Sequence, residues 1–272
     1  MEQELRKLQL MQLDIFKKID AFCREHQIHY SLYAGSLLGA VRHRGFIPWD
    51  DDLDIFMIRH EYNRFIRLWI KEAPKGYVIQ NKELESSFTQ SFTKIRKDHT
   101  TFLQVEEERG KYHTGIFVDV FPIDRIPTCI LQRTVFYLDC MFYQLYTREF
   151  IPPSSGYIVE LITRILLEKS SKTRREKMRK WHFGRIVRYD HDRTLPLVCI
   201  EMRKTLKQHL PSNLMHSYID LPFEDMMAMC IRDWDTYLTV KFGNYMQLPP
   251  EEERGWRHHP IVLDFNKNLE EL

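Results

Sequence analysis

Positions 50 to 54 read Asp-Asp-Asp-Leu-Asp, four acids in five residues, and the apolar run 55–57 follows at once. A fold that buries that run must carry the acids to the edge of its core. Carboxylates crowded there push one another toward protonation unless a cation sits among them. The feature therefore restricts the chain to architectures in which a strand delivers acids to a site that a cation can reach. A hard divalent ion carrying phosphate meets the requirement.

In an extended strand, side chains two apart share a face. Asp52 and Asp54 then project together while Leu53 and Ile55 enter the core. Asp119 stands between Val118 and Val120 and joins them from a neighbouring strand. Three carboxylates from two strands make an oxygen-rich socket suited to Mg2+. Two ions there, with Mn2+ as a substitute, would align an attacking oxygen and a leaving group. A lone Asp-Leu-Asp is commonplace at a solvent-facing turn, so it is the longer run that carries weight. Upstream, Gly35 and Ser36 fall at a strand-to-helix step where backbone amides and a hydroxyl can cradle phosphate; a plain turn with a capping serine reads equally well from these residues. Arg42, His43 and Arg44 precede the acids, either to meet phosphate or to balance charge, and Lys94 and Arg96 share one face of a later strand.

Helical spacing marks residues 4–26, and helices are also expected over 60–73, 130–150, 157–188, about 200–209 and 232–242. Strands are expected near 28–34, at 52–58, 77–80, 87–98 and 115–124. The expected class is α+β: a mixed sheet of four or five strands with flanking helices over residues 1–127, then a largely helical region over 128–272 whose end returns toward the site. With 43% hydrophobic and 29% charged residues the chain is an ordinary globular one, and a net charge of +2 names no partner. Five scattered cysteines lack zinc spacing and fit a reducing compartment. The charged beginning does not resemble a leader peptide, and no uncharged apolar run reaches the roughly 20 residues that cross a bilayer. A cytoplasmic location is expected. Residues 169–188 hold nine Lys or Arg against one acid, a face for anionic lipid at the inner side of a membrane or merely a solvated helix. No ordered aromatic motif accompanies the charge, and nucleic acid is not expected.

The blocks YAGSLLGAVRHRGFIPWDDDLDIFM, KIR at 94–96, GIFVDVFPID at 115–124 and FGNYMQLPPEEERGWRHH near the end, taken in order, resemble the LicD family of phosphocholine transferases. The resemblance implies a nucleotidyltransferase-like fold, with Gly35 and Ser36 in the turn, Asp52 and Asp54 as the metal pair, and Asp119 as third ligand or as base. Many relatives have threonine where this chain has Ser36, a mild departure. It also implies roles for Arg254 and His258, which would otherwise read as part of a solvated charge run. The implied reaction moves phosphocholine, or another phosphoalcohol, from CDP-choline or another CDP-alcohol. The acceptor is a sugar hydroxyl of a lipid-linked glycan, lipopolysaccharide or teichoic acid precursor. Tyr33, Trp49, Trp234, Tyr237 and Tyr245 are candidate walls for a choline cation. Attack on a nucleotide α-phosphate, or a binding scaffold without turnover, stand as the alternatives.

Overall fold

The computed structural model describes residues 2–104, 113–149, 157–201 and 205–272, apart from the side chains of 157–162 and 205. Along the chain run α1 (Glu2–Glu25), β1 (Ser31–Leu32), α2 (Ala34–His43), β2 (Asp54–Ile58), α3 (Arg59–Glu72), β3 (Tyr77–Gln80), β4 (Thr93–Lys97), β5 (Thr101–Leu103) and β6 (Phe117–Arg125). There follow α4 (Ile130–Arg148), α5 (Tyr157–Glu168), α6 (Lys172–Val187), β7 (Leu197–Val198), β8 (Tyr218–Phe223), β9 (Met226–Ile231), α7 (Trp234–Phe242) and β10 (Val262–Asp264). The chain divides into two compact units, one of Met1–Gln80, Phe92–Ile123 and Asn213–Leu272, the other of Asn81–Ser91 and Asp124–Ser212.

The first unit is built on a mixed sheet in the order β1-β2-β6-β4-β3. Only β2 and β6 run parallel; β1–β2, β6–β4 and β4–β3 are antiparallel. Every residue of β6 is buried, which is why it reads as a nearly unbroken apolar run with Asp119 as an exception. The register sets Asp54 beside Asp119, and Lys94 beside Asp119 from the other side. Helix α1 presents Leu5, Leu8, Leu13, Phe16, Ile19 and Cys23 inward, as its spacing predicts. Helix α3 buries Tyr62, Phe65 and Trp69, and Phe65 alone is worth about 1.5–3 kcal/mol of burial. Two pairings went unannounced in the sequence: the hairpin β8–β9, turning at Glu224 with a φ of 55°, and the ribbon β5–β10.

In the second unit, α4 and α6 pack on a cluster of Ile126, Phe136, Cys140, Tyr143, Ile186, Val198 and Ile200. The expected helix over 157–188 is two helices. Ser171 interrupts it, accepting from the Arg174 amide at 3.3 Å to cap α6. The expected helix near 200–209 is corrected too. Leu197 and Leu210 exchange backbone hydrogen bonds of 2.9 and 2.8 Å, so the segment is drawn into pairing and keeps a 3-10 turn at Thr205–Lys207; residues 202–204 lie outside the described ones. Cys23, Cys140, Cys199 and Cys230 are buried free thiols, whereas Cys129 is exposed. Among the described residues no helix is long and apolar enough to cross a membrane.

Candidate functional site

The acids lie on the loop between α2 and β2, and α1 holds that loop by its backbone. Buried Gln9 donates to the carbonyls of Ile47 at 3.3 Å and Asp50 at 2.9 Å, and Gln12 donates to Asp51 at 2.9 Å. A buried loop needs such partners for its orphaned carbonyls. These two glutamines were missed in the sequence, although polar residues inside an apolar helical stripe are a legible sign of backbone capture. Strand β2 begins only at Asp54, so Asp52 stands just ahead of the ladder while Leu53 and Ile55 are buried as expected. Gly35 lies against the acids, not against open space: a Cβ there would meet Asp50 Oδ2 at 2.6 Å. Ser36 is buried, and its hydroxyl accepts the Asp54 amide at 2.9 Å. The turn thus fixes where Asp54 points.

Four carboxylates share the resulting volume with Asp119. Asp50, Asp51 and Asp52 each offer an oxygen within 4.8 Å of the others. Asp54 Oδ1 is buried with no hydrogen-bond partner among the described residues. Burial above all, then the charge of Asp52, pushes Asp50 up to about 8. The same causes, joined by Asp119, hold Asp54 well above the ordinary range. Asp52 is raised by burial against the pull of His258, and Asp119 by burial against the pull of Lys94. Lys94 Nζ donates to Asp119 at 3.0 Å and sits over the Phe117 ring.

Asp51 has a different task, also missed in the sequence. Fully buried, it accepts the backbone amides of Arg257 at 3.3 Å and His258 at 2.8 Å. The C-terminal segment is thereby tied to the acidic loop, and His258 Nδ1 stands 3.3 Å from Asp51 and 3.7 Å from Asp52. Burial opposes the charge on His258, but the hydrogen bond to Asp51 and the charges of Asp52 and Asp51 prevail, and its pKa is raised. This tie could not be read from spacing, because backbone amides some 200 positions away leave no side-chain pattern in the sequence.

The expected basic residues separate into distinct places. Arg42 donates to the Tyr245 carbonyl at 2.8 Å; burial and the nearby Arg254 depress its pKa. Arg254 lies over the Trp49 ring, 5.2 Å from its centre, and donates to the Pro249 carbonyl at 2.9 Å. Arg44 caps the end of α2 in a left-handed conformation, φ 58°, with its side chain exposed. Arg96 is wholly buried: it donates to Gln80 at 2.6 Å and to the Gly115 carbonyl at 2.7 Å. That placement makes it a brace between β3, β4 and the start of β6, although strand alternation had set it beside Lys94. Among the aromatic candidates, Tyr33 and Tyr237 are buried against Phe56 as packing residues.

Oxygen-only donors, crowded and partly unsatisfied, suit a hard divalent cation better than a soft one. Residues 27–158 match the family described as LicD/FKTN/FKRP, nucleotidyltransferase domain. The chain carries a LicD-family domain. Over 260 residues, 93% of this chain and 96% of the relative, it is 29% identical to the lipopolysaccharide cholinephosphotransferase LicD of Haemophilus influenzae. An uncharacterized protein of Rickettsia prowazekii is 28% identical over 45% of this chain and 41% of its own length, and one of Rickettsia typhi is 36% identical over 30% and 26%. Asp50, Asp51, Asp52, Asp54, Lys94 and Asp119 all lie inside the LicD-family domain, whereas His258 reaches the acids from beyond it.

Proposed function

We propose that this chain transfers phosphocholine, or a related phosphoalcohol, from a CDP-activated donor to a sugar hydroxyl of a surface-glycan precursor such as lipopolysaccharide. The observation that carries the reading is Asp54: a partly buried carboxylate in register with Asp119, with one oxygen buried and unpartnered and with Asp52 alongside. The Haemophilus influenzae relative, a lipopolysaccharide cholinephosphotransferase matched over nearly its whole length, supports the cargo and the acceptor class. Asp52, Asp54 and Asp119 would hold Mg2+ or Mn2+, which when bound supplies neutralisation of the donor diphosphate.

The chain's own residues do the positioning. Ser36 fixes the backbone of Asp54, and Lys94 steadies Asp119. Asp51 brings His258 next to Asp52, where it offers positive charge. Arg42 and Arg254, close to Trp49 and His43, are the cations placed to meet a nucleotide. The acceptor oxygen forms a bond to the phosphorus that bears the alcohol. The bond from that phosphorus to the bridging oxygen breaks, and CMP leaves with the electron pair. The hydroxyl proton passes to a carboxylate. Asp119 is held by Lys94, so Asp52, with 21% of its side chain exposed, is better placed to accept it. Alignment and charge neutralisation suffice for such transfers.

The test is CMP release from CDP-choline and other CDP-alcohols, with candidate sugars and Mg2+. Transfer of the alcohol phosphate to the sugar with stoichiometric CMP is the expected result. Attachment of the nucleotide to the acceptor would instead mark attack at the α-phosphate and overturn the reading. So would unchanged turnover in Asp52→Asn and Asp54→Asn.

A further inference from the structure

The second unit leaves one helix face uncovered. On α4, Phe136, Asp139, Cys140 and Tyr143 turn inward, while Ile130, Leu131, Val135, Leu138 and Met141 are exposed, Leu131 by 79%. Their spacing of three and four residues forms one stripe along the helix. Scattered apolar residues on a surface need no cause, but a continuous stripe does.

The neighbouring helix determines what the stripe faces. Asp139 accepts from His182 Nδ1 and from Arg185 Nε, each at 2.9 Å, and Arg185 in turn stacks on Trp181, 4.7 Å from its ring centre. Phe142 stacks on His182 from the border of the α4 stripe. Trp181, 52% exposed, is therefore set alongside the stripe. At helical spacing from Trp181 come Arg174, Lys177 and Arg188, all exposed and none in an ion pair among the described residues. The one acid of the segment, Glu176, is engaged by Arg179 at 2.9 Å and Lys180 at 3.3 Å. An apolar stripe, an exposed tryptophan at its margin and unpaired cations beyond it reproduce the layering of an anionic bilayer surface: acyl boundary, interface, phosphate headgroups.

We infer that this α4–α6 face is a docking surface for a membrane bearing anionic lipid. The charge on the α6 side decides for lipid over a second copy of the chain, because two identical faces would set cation against cation. The inference stands apart from the site reading, since it draws on none of the same residues.

Sedimentation of the full chain with phosphatidylcholine vesicles, with and without phosphatidylglycerol, tests it. The chain is expected to pellet with the anionic vesicles alone, and added salt should release it. Lys177→Glu with Arg188→Glu should weaken partitioning by about tenfold or more. Leu131→Gln with Leu138→Gln should weaken it comparably without restoring it at low salt. Unchanged thermal midpoints and CMP release with a soluble acceptor would show the variants to be folded. A wild-type chain that stays in the supernatant overturns the inference, as does pelleting that neither double variant alters. A concentration-dependent dimer that Leu138→Gln dissolves would overturn it in favour of self-association.

Discussion

Asp139, buried, and Asp54, partly buried with one oxygen wholly enclosed, both lie beside a packed core, and the two regions treat them in opposite ways. Asp139 has a histidine and an arginine on its oxygens, at 2.9 Å each. Asp54 has Asp50, Asp52 and Asp119 for company and an oxygen without a partner. Lys94 reaches Asp119, and His258 reaches Asp51 and Asp52, yet five carboxylates outnumber those two cations. One region is balanced within the chain; the other is balanced only when something positive is added. A fold stabilises buried charge by pairing it, and leaves it underpaired where a ligand completes the set.

The largest expected effect follows from that contrast. Asp54→Asn should lower turnover of CDP-choline by about a thousandfold or more, the scale on which lost charge stabilisation is felt. The same variant should raise the unfolding midpoint of the metal-free chain, because it removes a repulsion. Asp139→Asn should do the reverse. Stranding Arg185 and His182 beside a neutral side chain costs about 3 kcal/mol, with turnover of the folded fraction little changed. Paired thermal melts and CMP assays measure both. Two variants that shifted stability in the same direction would break the comparison.

A smaller effect distinguishes the two regions by pH. Asp50 ordinarily titrates near 3.8 and is held up to about 8 in the folded chain. Its folded-state pKa lies above its unfolded one, so the stability it contributes is fully present below about 3.8 and is lost as pH rises through about 8. Asp52, Asp54 and Asp119 are raised and act in the same direction. The metal-free chain should therefore lose stability across that window by about 1.4 kcal/mol per pH unit for each extra proton the fold retains. Asp50→Asn should flatten the slope by about one proton, and so should saturating Mg2+. Chemical denaturation at several pH values reads it directly. A slope that Asp50→Asn leaves intact would place the pH dependence elsewhere.

What the sequence disclosed, and what it withheld, divides along the same physical line. Asp54 beside Asp119 was legible, because strand alternation and apolar flanks are local properties of 52–58 and 115–124. Helices α1, α3 and α4 were legible from their stripes, and Asp52 and Ser36 were singled out by the acidic run and the strand-to-helix step before the family resemblance added to them. The tie from Asp51 to residues 257 and 258 was not, nor was the hold of Gln9 and Gln12 on the loop carbonyls, since both run through backbone groups that every residue carries. Arg96 shows a related limit. Alternation set it beside Lys94, but it could not reveal that Arg96 donates to Gln80 and to the Gly115 carbonyl. The hairpin β8–β9 stayed hidden because its outward face carries Met and Pro instead of an alternating polar pattern.

The smallest effect tests whether Ser36 belongs to the under-balanced region as a ligand-facing group or as its support. Its hydroxyl accepts the Asp54 amide at 2.9 Å and is almost completely buried. As a support, Ser36→Ala leaves that amide unmatched and should cost about 1 kcal/mol of stability. Asp54 would then be held less firmly, and more Mg2+ should be needed for half-maximal CMP release. Ser36→Thr keeps the acceptor oxygen and should restore both quantities, the added methyl costing less than the lost hydrogen bond. A hydroxyl acting mainly on the donor phosphate would behave otherwise: Ser36→Ala would raise the KM for CDP-choline and leave the Mg2+ requirement and the melting midpoint where they were. The two outcomes are read from the same titration, and only the first fits an oxygen already committed to the backbone of Asp54.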